Sequence, residues 1–147
     1  MITYTDTITV EDYNTLRVSV GWQPIMPEQA AAGLLGTAFL VVALEGGRTV
    51  GMARLICDGG YIAFLADVVV LPDYQGQGIG RAMMERVMAY IRERMKEGWR
   101  VLAALVAATG KEPFYEKFGF VTLHGDTAGT GMSQWLKREG DVPCLPA

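Results

Sequence analysis

The sequence predicts an α/β fold of the α+β kind: a mixed, mostly antiparallel sheet of about six to seven strands with four helices. Three observations predict it. Apolar runs at 39–44, 49–56 and 61–71 are separated by the turn sequences Glu45-Gly46-Gly47-Arg48 and Asp58-Gly59-Gly60, the pattern of an antiparallel meander. A glycine loop then leads from the third run into a helical pattern and a further apolar run at 101–106. Strand, loop, helix and strand in that order imply a right-handed crossover and a parallel pair. Finally, 147 residues, 50% of them apolar or aromatic and 20% charged, suit one domain with a sizeable core.

Each element has its own signal. Ile2–Thr5 reads as a short first strand. Thr9-Val10-Glu11-Asp12 has the form of a capping box, and Tyr13, Leu16 and Val20 follow helical spacing. A first helix over 10–20 follows, stopped by Gly21, with a loop at 22–26. Pro27-Glu28 opens a second helix through 30–35 that ends at Gly36. After the meander, Met84, Val87, Met88, Ile91 and Met95 make one face of a long helix over 81–96, closed by Gly98. Met83, Met84, Met88 and Met95 are suited to filling irregular gaps in a core. Residues 111–117 suggest a short helix stopped by Gly119. Residues 120–123 and 132–136 read as a final antiparallel pair, and 137–147 as a loosely held tail. The whole of 1–147 is one domain, without repeats or low-complexity segments.

Composition excludes several function classes. Lys+Arg is 13 and Asp+Glu is 16, a net charge of −3, which argues against a broad nucleic-acid surface. A local anion site built from backbone N–H groups stays open. No apolar stretch approaches the roughly 20 residues needed to cross a bilayer. The first residues carry no basic region or apolar signal core, so neither membrane nor secretion is expected, and the cytoplasm is. Cys57 and Cys144 form no CxxC pair and His124 has no HExxH partner, so no metal and no disulfide framework is expected.

The sharpest signal is Gln75-Gly76-Gln77-Gly78-Ile79-Gly80-Arg81, which follows a strand and opens a helix. Glycines allow a ligand close to the backbone, and free N–H groups at a helix start suit a pyrophosphate. The bland alternative is a tight turn that needs small residues. A dinucleotide fingerprint would require glycine where Arg81 stands, and no Walker A loop is present, so NAD and ATP are disfavoured.

Gln75-Gly76-Gln77-Gly78-Ile79-Gly80 resembles the Q/R-x-x-G-x-G/A signature of the GNAT N-acetyltransferase superfamily. Val68-Val69-Val70-Leu71-Pro72-Asp73-Tyr74 is similar to that family's fourth strand, and Phe114-Tyr115-Glu116-Lys117-Phe118-Gly119-Phe120 to its FYxxxGF element. The order of elements matches over nearly the whole chain. The resemblance implies acetyl-CoA as donor, with its pyrophosphate on loop N–H groups from Gln77 to Arg81. It implies pantetheine pairing with the backbone of Val68, Val69 and Val70, between fourth and fifth strands that are parallel and splayed. It also implies that Gln75, Gly76, Gln77, Gly78, Ile79, Gly80 and Arg81 serve the coenzyme. The stretch Ala107-Ala108-Thr109-Gly110 lacks the Asn many members carry, and Thr109 is the candidate substitute.

Acyl transfer from a thioester to an amine needs a neutral amine, stabilisation of the developing oxyanion and a proton for the thiolate. A backbone N–H near Val69 could supply the second. Tyr115 matches the family's general acid, weighed against a packed aromatic. Asp67, in an otherwise apolar strand, is a candidate proton relay or attractor of a cationic substrate, weighed against a local hydrogen bond. Arg17, Trp22 and Glu28 are candidates for the acceptor wall. The resulting expectation is direct transfer to a primary amine of a small molecule. The alternatives are a coenzyme A-binding sensor without turnover and a protein- or peptide-modifying acetyltransferase. The acidic balance favours a cationic acceptor. The resemblance also raises a homodimer.

Overall fold

Alternating apolar side chains and glycine turns place β2 (Phe39–Glu45), β3 (Arg48–Cys57) and β4 (Ile62–Val70) side by side. The computed structural model describes residues 1–123, 129–136 and 138. β1 (Ile2–Thr5) adds to β2, and β5 (Leu102–Leu105) adds to β4, so the described sheet has the order β1-β2-β3-β4-β5. The first three pairings are antiparallel and β4–β5 is parallel, as the crossover rule requires.

α1 (Val10–Ser19) begins at Thr9, whose hydroxyl accepts the Asp12 amide at 3.0 Å. This is half of the expected capping box; the Asp12 carboxylate accepts the Thr49 hydroxyl at 2.7 Å instead of returning to the Thr9 amide. Tyr13 and Leu16 are its buried face. α2 (Pro27–Leu35) opens on its proline and buries Ala30. On the opposite face of the sheet, α3 (Ile79–Arg94) buries Ile79, Met83, Met84, Val87 and Ile91. Each such side chain contributes about 1.5–3 kcal/mol of transfer free energy. The helix starts at Ile79, two residues earlier than its apolar pattern implies, because Gly78 forms its cap. Met95 lies beyond its end. Tyr90 fixes α3 to β2 by stacking on Phe39 at 4.5 Å and donating its hydroxyl to the Ala38 carbonyl. α4 (Glu112–Glu116) is a single turn and a half packed near the start of α3.

The sheet has five described strands rather than six to seven. Residues 120–123 and the described part of the second expected strand, 132–136, hold no strand. Val121, Met132, Trp135 and Leu136 are all exposed. Without apolar surface to cover, such a pair would be an isolated hairpin, which is marginal in water. The tail from 137, Arg138 excepted, lies outside the described residues, as do His124 and Cys144.

Two irregularities shape the site. β3 pairs Arg54 with Asp67 but Leu55 with Leu65, so Ala66 is an extra residue on β4. Such a bulge bends a strand and increases its twist. β5 stays in register with β4 only from Ile62↔Leu102 to Leu65↔Leu105. β4 continues to Val70, so it parts from β5 at the bulge.

Candidate active site

The parting of β4 and β5 opens a cleft of about 550 Å³. Its floor is the stretch of β4 that β5 leaves unpaired. The Leu71 amide donates to the Val50 carbonyl on β3 at 2.9 Å. Alternation along an antiparallel ladder then turns Val69 toward its β3 partner Met52. The amides of Val68 and Val70 therefore face the open edge, and the donor sought near Val69 falls to these neighbours. Gln75 extends its Nε2 to the Val70 carbonyl at 3.0 Å. Its side chain thus ties the glycine loop to the end of β4.

The loop closes one end of the cleft. Gly76 and Gly78 hold φ of 76° and 84°, the left-handed region that glycine occupies without penalty. Gly78 caps α3 with no side-chain hydrogen bond. Among the described residues the amides of 76–81 find no acceptor. They carry the positive end of the helix dipole, which suits a phosphate. Gly80 is needed for a different reason. A Cβ there would stand 3.3 Å from Phe114 Cζ, so the missing side chain lets α4 pack onto the start of α3.

That packing positions Tyr115. Its ring lies edge-on to Phe114 at 5.0 Å and to Phe120 at 6.2 Å. Its carbonyl accepts the amides of Phe118 and Phe120 at 2.9 and 3.4 Å. The side chain lines the cleft, and burial pushes the phenol above its ordinary value of 10.0. The hydroxyl is therefore protonated throughout the neutral range and able to donate.

Of the residues singled out in the sequence, Trp22, Val68, Val69, Val70, Gln75, Gly76, Gly78, Ile79, Gly80, Arg81 and Tyr115 line this cleft. Gln77, Thr109, Glu28, Arg17 and Asp67 do not. Gln77 donates to the Asp73 carbonyl, while Thr109 and Glu28 face solvent. Lys111 and Lys117 line the cleft and were missed. The available signal was two cations flanking the short aromatic helix, beside a site read as binding phosphates.

Asp67 and Arg17 form a separate cluster behind the cleft. Asp67 is 5% exposed. Its Oδ2 accepts Arg54 Nε at 2.7 Å and the Tyr13 hydroxyl at 2.9 Å, and its Oδ1 accepts Arg17 Nη1 at 3.2 Å. Arg17 Nε reaches on to the Gln23 carbonyl at 2.9 Å, and its guanidinium lies 5.4 Å from the Trp22 ring centroid. Arg54 also donates to Gly33 O and Thr37 Oγ1. Asn14 makes paired bonds with the backbone of Ile25. The loop between α1 and α2 is thereby fastened to β4. Burial, and then the neighbouring Asp67 charge, push the Tyr13 phenol up.

Residues 36–122 match the family model described as the acetyltransferase (GNAT) domain. The chain belongs to the GNAT acetyltransferase family. Among solved structures, a protein of unknown function from meticillin-resistant Staphylococcus aureus is 36% identical with a TM-score of 0.81, covering 91% of this chain and all of that one. A rice protein named serotonin N-acetyltransferase 2, chloroplastic, is 42% identical over 93 residues, 63% of this chain and 44% of that protein. A soybean protein named histone acetyltransferase TAP1 is 33% identical over 99 residues, 59% of this chain and 42% of that protein. The matches thus span under half the length of these two curated relatives. The residues that carried the resemblance lie together here: the glycine loop after β4, the end of β4 that parts from β5, and Tyr115 on the short helix. No group of three or more potential metal ligands occurs among the described residues.

Proposed function

We propose that this GNAT protein transfers an acetyl group from acetyl-CoA to a primary amine of a small molecule by direct attack in a ternary complex. The observation that carries this reading is the free edge of β4, bounded at one end by a helix start whose amides have no acceptor among the described residues and lined by Tyr115. The amides of 76–81 would hold the pyrophosphate, with Arg81, Lys111 and Lys117 supplying countercharge. The exposed backbone of Val68 and Val70 would pair with the pantetheine amides, as an added strand pairs with a sheet edge. The donor supplies an activated thioester. The amine nitrogen forms the new C–N bond, the C–S bond breaks, and a backbone amide on the open edge of β4 stabilises the carbonyl oxygen as it gains charge. Tyr115 gives its proton to the departing sulfur. Asp67 is held by three donors, so its role in this reading is to position the α1–α2 loop. The proton from the amine leaves to water.

The names of the relatives point both ways, to a small amine in rice and to histones in soybean. A cleft of this volume suits a cofactor arm and a small acceptor together. The sensor reading gives Tyr115 no task. A cytoplasmic setting is part of this reading and rests on the sparse cysteine content of the sequence. An amine panel with acetyl-CoA, read by thiol release, tests the proposal. Turnover with free amines supports it. Tight coenzyme binding with no thiol release from any amine or peptide would establish the sensor instead.

A further inference from the structure

The acceptor side of the cleft has a chemical character of its own. Val20 and Trp22 wall it where α1 passes into the α1–α2 loop. Trp22 is tied to β4 through Arg17, which bonds Asp67 and holds its guanidinium 5.4 Å from the indole centroid. The Trp22 amide donates to the Arg17 carbonyl at 3.0 Å, so backbone and side chain of one arginine fix the residue. An indole face held in this way is a rigid apolar surface. Among the described residues lining the cleft there is no carboxylate; Arg81 is paired with Glu85 outside the lining at 2.9 Å, and Lys111 and Lys117 are cationic. The nearby carboxylate, Asp67, is enclosed by Arg17 and Arg54: two guanidiniums against one carboxylate, a net of +1. The chain's overall net charge of −3 is therefore not the field an acceptor meets.

We infer that the acceptor is a monoamine on a flat aromatic or apolar body, seated against Trp22, and that Trp22 is the residue that sets this specificity. The inference rests on the acetyl-transfer reading above and deepens it. A second ammonium on the acceptor would find no carboxylate partner at the site and would face the excess charge of the Arg17–Asp67–Arg54 cluster, which disfavours polyamines and basic peptides. The same surroundings favour the neutral form of a bound amine. Attack requires that form, and a dedicated carboxylate base is then unnecessary. An aromatic body would bury its face on the indole with the amine directed to the open edge of β4.

The test compares phenethylamine and tyramine with spermidine and a lysine-containing peptide, using acetyl-CoA and thiol release, in the wild type and in Trp22→Ala and Trp22→Phe. The aromatic monoamines are expected to exceed spermidine and the peptide in kcat/KM by about tenfold or more, the scale of a well-formed apolar pocket. Trp22→Ala is expected to raise the KM for phenethylamine by a similar factor. Its KM for acetyl-CoA and the rise in Tm caused by acetyl-CoA should be kept, and Trp22→Phe should recover part of the loss. Preference for spermidine or the peptide, or an unchanged phenethylamine KM in Trp22→Ala, overturns the acceptor class while leaving acetyl transfer intact. Thiol release with none of the amines overturns the transfer reading itself, and this inference with it.

Discussion

Tyr115 is a single hydroxyl in a frame of aromatic edges, so Tyr115→Phe should leave Phe114 and Phe120 packed as before. If the hydroxyl protonates the thiolate, kcat should fall about 10- to 100-fold, and the KM for acetyl-CoA should change little. Because burial raises the phenol above 10.0, the acid stays protonated as pH rises through the neutral and mildly alkaline range. Any fall in kcat due to its ionisation is expected only beyond that value and should be missing from the mutant's pH profile. An unchanged kcat with chemistry rate-limiting would make Tyr115 a core aromatic. Gly78 presents a different case. Its Cβ would meet nothing within 4 Å, yet its φ is +84°. Gly78→Val therefore strains the backbone by about 1–2 kcal/mol and places a branched side chain beside the amides that would face phosphate. The expected result, read by titration calorimetry, is a folded protein with at least about tenfold weaker acetyl-CoA binding, the order of one lost charge-assisted contact. The loop, β4 and Tyr115 were legible because each leaves a local pattern: glycines between strand and helix, an apolar run, a tyrosine in an aromatic cluster. Lys111 and Lys117 were not, since a surface lysine and a cleft lysine have the same sequence.

At the scale of elements, β4 carries both the open edge and the anchor for the loop that faces it. Asp67→Ala would leave Arg17 and Arg54 without their carboxylate, and unfolding by denaturant should report a loss of about 3–5 kcal/mol. The α1–α2 loop should loosen first, seen as faster amide exchange at Trp22 and Ile25, whose amides are hydrogen-bonded. A loss below about 1 kcal/mol, the value of an exposed pair, would show that the cluster is not the fastening described here. Tyr13 adds a pH signature. Its folded phenol is raised, so the neutral form is favoured in the native state and its contribution is fully present below pH 10. It is lost as pH rises through the folded value, so Tyr13→Phe should reduce the steepness of alkaline unfolding. Helix starts and turns were readable from Thr9, Pro27 and the glycine pairs. The extra residue Ala66 was not readable, because a bulge is a property of two strands in register and an alternating pattern in one strand does not record it.

For the whole molecule, acetyl-CoA at about 100 times its Kd should add about 2.7 kcal/mol of stability, raising Tm by about 5–10 °C for a chain of this size. NADH at the same concentration should give no shift. Stabilisation by NADH and not by acetyl-CoA would contradict the assignment of the glycine loop. Periodicity, capping and short motifs act over a few residues, so the order of elements from β1 to α4, the meander and crossover, the glycine loop and the family were readable from the chain alone, while the expected final strand pair was not found. Folding set how many described strands join the sheet, which amides of β4 face the cleft, and the enclosure of Asp67 by Tyr13, Arg17 and Arg54. Those outcomes depend on partners 13 to 54 residues away in the chain, and on burial and strand register that appear only when distant segments meet.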